Sequence, residues 1–290
     1  YPWTEELEKT VARSLATSFG LDFLLFEDKI GGEVDTVHNV RQGIWASEQE
    51  QQRYVQRGDY KPIVDGKKTD PYHTHKNYKC KGRQDKKQQL AGNLHDPYRN
   101  TVMGVGESRN TDHVISAKEV HDDAGRVLAE INGVDIANKS VNLQSTHETI
   151  NNSKSKDSIN VFLDKLPEII KKDNEKLKKY QDQLARTPRN TPEQQHKARK
   201  IEDKIRKKEK RINTLKSVDP EEMRKRDKEA REPYNQQINQ KYYTSSKFWQ
   251  QSAGASAVAG LKMGTRQMLG LIMAEVWFEL RTQLPKTLEQ

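Results

Sequence analysis

Residues 111–156, TDHVISAKEVHDDAGRVLAEINGVDIANKSVNLQSTHETINNSKSK, constrain this chain more than any other stretch. Asp112-His113-Val114-Ile115 reads as a short strand that begins on a carboxylate and an imidazole. Val141-Asn142-Leu143-Gln144 reads as a second short strand. Asn151-Asn152-Ser153-Lys154 lies in a run, 145–156, that can form a short helix. Two strands followed by a helix can bring a carboxylate, an imidazole and a carboxamide to one point.

That convergence suits phosphodiester cleavage. An activated water attacks the phosphorus, and the departing 3′ oxygen must be stabilised as its charge develops. His113 can take the water's proton, because imidazole titrates near neutrality. Asp112 and Asn151 offer only oxygen to a metal, which selects a hard cation such as Mg²⁺ or Mn²⁺. Lys154 follows Asn151 at helical spacing and can meet a phosphate. An isolated Asp-His pair is common in sequences, and paired asparagines at a helix start often cap it. The ordered triple with its lysine is the more specific signal.

DHVI, VNLQ and NNSK, in that order, resemble the HNH endonucleases, whose fold is the ββα-metal nuclease. Asparagine at the last motif position is similar to the variant in CRISPR effector nucleases. The resemblance covers about 45 of the 290 residues. It implies His113 as general base, Asp112 and Asn151 as metal ligands, and Asn142 as the brace behind the histidine. Asn152 competes with Asn151 for the metal. The stretch between His113 and Asn142 is longer than in compact members, so an insertion is implied. Many members also carry two Cys-x-x-Cys pairs for a structural zinc, and here Cys80 stands alone.

Composition narrows the setting. Apolar residues make 32% and charged residues 32%, which points to a thin core and long solvated helices. The net charge of +9 favours a polyanionic partner, of which nucleic acid fits best, and the family resemblance implies DNA ahead of RNA. A single cysteine excludes an internal disulfide and fits a reducing compartment, here the cytoplasm.

In chain order, 3–19 reads as an amphipathic helix, and 23–26 with 33–40 as a hairpin whose His38 is structural. Residues 45–110 are polar and turn-rich, punctuated by Asp65-Gly66, Asp70-Pro71, Lys81-Gly82 and Asp96-Pro97. Their cations Lys76, Lys79, Lys81, Arg83, Lys86, Lys87 and Arg99, interleaved with tyrosines, suit a nucleic-acid surface. His73, His75 and Cys80 offer too few ligands for a metal site. Two basic helices follow, the first with Pro167 near its start. They are divided by Arg186-Thr187-Pro188-Arg189-Asn190, and Thr191, Pro192 and Gln194 cap the second. A short link makes them antiparallel. Their charge fits either a solvated surface or a DNA-contacting arm. Asp219 caps a third helix that should end before Pro233. The small-residue and apolar run 252–284 is too often broken by charge to span a membrane, and reads as a buried helix.

The expected protein is α+β and mostly helical, in five segments. These are a helix and hairpin (1–44), a basic segment (45–110), a ββα-metal core (111–160), basic helices (161–251) and a C-terminal helix (252–290), the last able to meet a second copy or a partner chain. The expected activity is Mg²⁺- or Mn²⁺-dependent endonucleolytic hydrolysis with His113, Asn142 and Lys154 in the catalytic set and Asp112, Asn151 or Asn152 on the metal. Family analogy adds a bacterial defence or mobile-element setting. The rivals are a non-catalytic nucleic-acid-binding protein and a structural helical protein.

Overall fold

In a computed structural model of the chain, residues 32–261, 264 and 268 are described. The helix expected at 3–19 and the strand at 23–26 lie outside them. The described residues form α1 (Val37–Arg41), α2 (Glu48–Val55), β1 (Ile63–Val64), β2 (Lys67–Lys68), α3 (Pro71–Thr74), α4 (Lys76–Leu90), β3 (His95–Asp96), β4 (Thr101–Val102) and β5 (Arg109–His113). Then come α5 (Ala117–Asp122), α6 (Ala124–Leu128), α7 (Gly133–Ala137), a 3-10 turn at Ser140–Asn142, β6 (Leu143–His147) and α8 (Glu148–Lys154). The long helices α9 (Ile159–Ala185), α10 (Pro192–Lys216) and α11 (Pro220–Tyr243) complete the order. The architecture is mostly helical, with small antiparallel sheets β1-β2, β3-β4 and β5-β6.

The chain divides into two compact units, one of residues 1–52 with 241–290, the other of residues 53–240. In the first, the expected strand at 33–40 is replaced by α1. Thr36 caps it, accepting from Asn39 N at 3.1 Å, and Val37 and Val40 are buried at helical spacing. Tyr242 donates to Asp35 O at 2.8 Å, and Phe248 stands edge-on to Tyr242 and Tyr243. Residues 246–261 are helical, but Trp249, Val258 and Leu261 are exposed, so the buried C-terminal helix is not found among the described residues. The small side chains there leave little apolar surface to hold that segment against a core. No helix among the described residues is long and apolar enough to cross a membrane.

The second unit is built around β5 and β6, antiparallel with Asp112 opposite Gln144 and His113 opposite Leu143. Asp112 and His113 therefore end their strand rather than begin it. The second strand starts at Leu143, after Val141 and Asn142 in the 3-10 turn, and continues through 145–147, residues expected in the following helix. Every residue of β6 is buried although four of the five are polar, so the strand has no solvent-facing side and shows no apolar–polar alternation to read. The insertion between the strands is α5, α6, α7 and the 3-10 turn, each short helix capped by a side chain: Ser116, Asp123 and Asn132.

Residues 76–90, expected as basic loop, are the 15-residue helix α4, and Lys81-Gly82 lies inside it rather than in a turn. Gly82 lets the helix approach the sheet, because a Cβ there would stand 3.2 Å from Thr111 Oγ1. Arg109 ties the two together, donating to Gly82 O at 2.9 Å and Ser145 Oγ at 2.6 Å. Asp65-Gly66 and Asp96-Pro97 do turn the chain, between β1 and β2 and between β3 and β4. Asp70 and Pro71 instead cap and open α3.

Helices α9 and α10 pair as expected. Asp173 meets Lys208 and Arg211 while Tyr180 meets Lys204, an antiparallel register. Thr191 and Gln194 close the capping box, with Pro192 at the first turn. Ile159 and Phe162 are fully buried, each burial stabilising by about 2 kcal/mol, so the hairpin is anchored at its base. Two prolines correct the expectation. Pro167 lies in the interior of α9, which starts earlier at the Ser158 cap, and α11 runs through Pro233. The α11 stripe Met223, Asp227, Ala230, Tyr234 and Ile238 is buried, and that packing offsets the backbone bond Pro233 removes; buried Ile159, Phe162, Leu163 and Leu166 do the same in α9 for Pro167.

Candidate active site

A cleft of about 300 Å³ opens beside the end of β5. Asp112, His113, Asn151 and Asn152 all line it, with Tyr60, Lys61, His73, Ser116, Lys118 and Lys156 on its rim and walls. The strand pair delivers Asp112 and His113, and α8 delivers the asparagines from the end of β6.

His113 is held from several sides. Tyr78 stacks on it at 5.1 Å and 18°, and His73 stands edge-on at 5.2 Å. Its Nε2 lies 3.1 Å from Asn138 Oδ1. Asn138 Nδ2 is already spent on Tyr72 O and Val134 O, so its oxygen must face the imidazole. An oxygen only accepts, so Nε2 carries the proton and Nδ1 carries the lone pair. Burial pushes the His113 pKa down to about 4, which keeps the ring neutral at pH 7.

Asp112 is 5% exposed, and its carboxylate accepts from Tyr98 Oη at 2.8 Å and from Lys154 Nζ at 3.1 Å. Lys154 also donates to His113 O at 2.9 Å and is fully buried. This corrects the expectation that Lys154 meets a phosphate: its ammonium is enclosed and committed to Asp112. Tyr98 is placed by Asp96, whose buried carboxylate accepts from Tyr98 N, Arg99 Nε, Thr146 Oγ1 and His147 N.

Asn142 lies outside the cleft. Its Oδ1 accepts from Ile115 N at 2.7 Å, and its Nδ2 donates to Ile115 O and Ala137 O. It therefore fixes the backbone just after His113 and the end of the insertion, a positioning contact. Asn151 makes no side-chain hydrogen bond among the described residues. Asn152 Oδ1 receives a long 3.4 Å bond from Asn110. Asn151 is thus the more available carboxamide.

The donor set suits a hard divalent cation: one carboxylate, one available carboxamide and no thiolate. Each Asp112 oxygen accepts one hydrogen bond and keeps a second lone pair. Among the described residues no three His, Cys, Asp or Glu side chains cluster as a protein-only metal cage. A cation held here would draw its remaining ligands from water and substrate, as Mg²⁺ commonly does.

Of the expected nucleic-acid contacts, Lys76, Lys79, Arg83, Lys86 and Lys87 are exposed on the outer side of α4. Lys81 turns to Asp85 at 3.0 Å. Arg99 is a correction: its guanidinium is buried between Asp96 and Glu107 and holds the β3-β4 hairpin. His38 is exposed and bonds Gln42, His75 caps α4, and Cys80 is exposed.

The residues not foreseen are Tyr98, Asn138, Tyr78 and His73. Only His73 carried a visible signal, an Asp-Pro-Tyr-His string that caps α3 and sets Asp70 Oδ1 2.8 Å from His73 Nδ1. No family model matches this chain, and neither a curated protein nor a solved structure does.

Proposed function

We propose that this protein is a metal-dependent endonuclease of the HNH type that hydrolyses phosphodiester bonds in DNA. The observation that carries the reading is the single cleft shared by Asp112, a neutral His113 and Asn151. Lys156 at the same cleft forms no ion pair among the described residues and can meet a polyanion, whereas Lys61 and Lys118 are already paired with Asp70 and Asp122.

In this mechanism the scissile phosphate enters the cleft and His113 Nδ1 takes a proton from the attacking water. Asn138, Tyr78 and the Asn142 brace hold the imidazole in one tautomer and orientation, so no reorganisation is needed at the moment of transfer. Asp112 and Asn151 would hold Mg²⁺ or Mn²⁺, which supplies charge neutralisation at the departing 3′ oxygen. Lys154 pairs with Asp112 and aims it without touching substrate.

Incubation of the full chain with plasmid and linear DNA, with Mg²⁺ or Mn²⁺ or with chelator, tests the reading. Cleavage is expected only with the metal. Asn151→Ala should need far more Mn²⁺ than Asn152→Ala in the same titration. Equal cleavage in chelator, or none in either metal, overturns the proposal. If Asn152→Ala is the damaging variant, the ligand assignment fails.

A further inference from the structure

The segment that enters the cleft through Tyr60 and Lys61 continues as a bare prong. Strands β1 and β2 pair Ile63 with Lys68 and Val64 with Lys67. The turn is Asp65-Gly66, with φ of 51° and 72°, as a tight two-residue hairpin requires. Ile63 is 73% and Val64 51% exposed. Successive strand residues point to opposite faces, so neither face of this hairpin is covered.

A two-stranded hairpin is marginal in water by itself. This one is pinned at its foot instead. Thr69 donates from N at 2.9 Å and from Oγ1 at 2.8 Å to Pro62 O, and Lys61 Nζ lies 2.6 Å from Asp70 Oδ2. The order is therefore bought at the base, leaving the tip free. Along it sit two aliphatic side chains on one strand and two lysines on the other, with Asp65 at the turn. Lys67 and Lys68 form no ion pair among the described residues.

We propose that this hairpin enters the major groove of duplex DNA and seats the duplex against the cleft. The inference rests on the nuclease reading for the cleft's role, but the binding mode is separable from it. Two strands about 4.8 Å apart with their side chains fit a groove about 12 Å wide and not one about 6 Å wide. From Lys61 to the turn the hairpin reaches about 13 Å, more than the groove's depth of about 8.5 Å. Ile63 shares one face with Lys68 and Val64 the other with Lys67, so the face turned to the bases sets one aliphatic group on thymine methyls and one lysine on guanine edges, while the lysine of the other face meets the flanking phosphates.

The test uses the full chain with chelator present, so that DNA stays intact, on a short duplex and its single strand. Dimethyl sulfate methylates guanine N7 in the major groove and adenine N3 in the minor. Wild type should protect guanine N7. The exposed double variant Ile63→Ser/Val64→Ser should lose that protection and about tenfold in duplex affinity, with single-strand affinity unchanged. Lys67→Gln/Lys68→Gln should lower the slope of affinity against salt by about 1 to 2. Protection confined to adenine N3, an unchanged footprint in the Ile63/Val64 variant, or equal losses on single and double strands overturns the prong. A wild type that shows the footprint but cuts nothing when metal is added removes the nuclease reading and leaves the prong standing.

Discussion

Two regions of the same unit handle their lysines and arginines in opposite ways. Around β5, β6 and α8 the cations are taken out of water: Lys154 is fully buried on Asp112 and the His113 carbonyl, and Arg99 is enclosed by two carboxylates. Along most of α9, α10 and their link they stand in solvent, as Lys172, Arg206 and the link's Arg189 do, each beside a carboxylate that is itself exposed; Lys208 and Arg211, on buried Asp173, are the exceptions. The same residue types serve as rigid struts in one region and as a soluble coat in the other. What differs is the number of distant segments that reach each side chain. Charge count in the sequence is therefore a guide to the molecule's field and a poor guide to which cation meets substrate.

The largest effect that tests this contrast is on chemistry. His113→Ala should lower single-turnover cleavage by about 10²- to 10⁴-fold while DNA affinity stays near normal, since the role proposed for the ring is that of a base and not an anchor. Near-normal cleavage would remove His113 from the mechanism and the cleft from its role.

Stability should divide along the same line. Lys154→Met leaves Asp112 buried with only Tyr98 as partner, and a broken buried pair costs about 3–5 kcal/mol. Lys172→Gln on α9, 66% exposed at its side chain, should change stability by less than about 0.5 kcal/mol. Urea midpoints of the two variants measure the difference. Similar midpoints would mean that burial of Lys154 does not set its worth.

Legibility followed the range of the interactions. The capping box at Thr191 and Gln194, and the antiparallel pairing it begins, lie within a few residues of one another and were readable as a string. The order strand, strand, helix around Asp112, Asn142 and Asn151 was readable too, because the motif spacing carries it. The supports were not. Tyr98 reaches Asp112 from another hairpin, and Asn138 reaches His113 from inside the insertion. Nothing local marks either residue. The helix α4 was read as loop because glycine, lysine and glutamine give it no apolar stripe; its inner side is Tyr78, Gly82, Asp85 and Gln89, held by bonds and close approach rather than by hydrophobic spacing. Prolines 167 and 233 misled in the opposite sense, since tertiary packing overrode the local rule.

A pH series separates the regions again. Burial lowers the pKa of His121 and of His147 below the ordinary 6.5. In each ring Nδ1 accepts a bond, from Tyr72 Oη to His121 at 3.1 Å and from Thr149 N to His147 at 3.0 Å, which a proton there would break. The unfolded chain binds these protons first as pH falls. Stability contributed by the neutral rings is complete above about pH 6.5 and is lost as pH drops through the lower folded values. Thermal midpoints at pH 7.5, 6 and 5 should therefore fall towards acid, and His121→Asn with His147→Asn should flatten the decline in part, the share of buried His113 remaining. An undiminished slope in that double variant would place the acid sensitivity elsewhere.

The smallest effect belongs to the hairpin. Thr191 Oγ1 accepts from Gln194 N at 3.3 Å, while Gln194 Oε1 accepts from Thr191 N at 3.3 Å and Asn190 N at 2.9 Å. Thr191→Ala removes one half of that box and should cost about 1 kcal/mol. The cap is exposed, so water takes over the amide that is left, which keeps the loss below that for Lys154. Its position also decides where the loss is felt. The bonds of the cap join residues within the α9–α10 link, and the hairpin meets α8 far from it, through Arg211 and Ser153 at 3.0 Å. Hydrogen exchange should therefore quicken at the first turn of α10 and stay unchanged at β5 and β6. Faster exchange in the strands would show that the link and the cleft fold as one cooperative element, and would undo the contrast between a solvated hairpin and a strutted site.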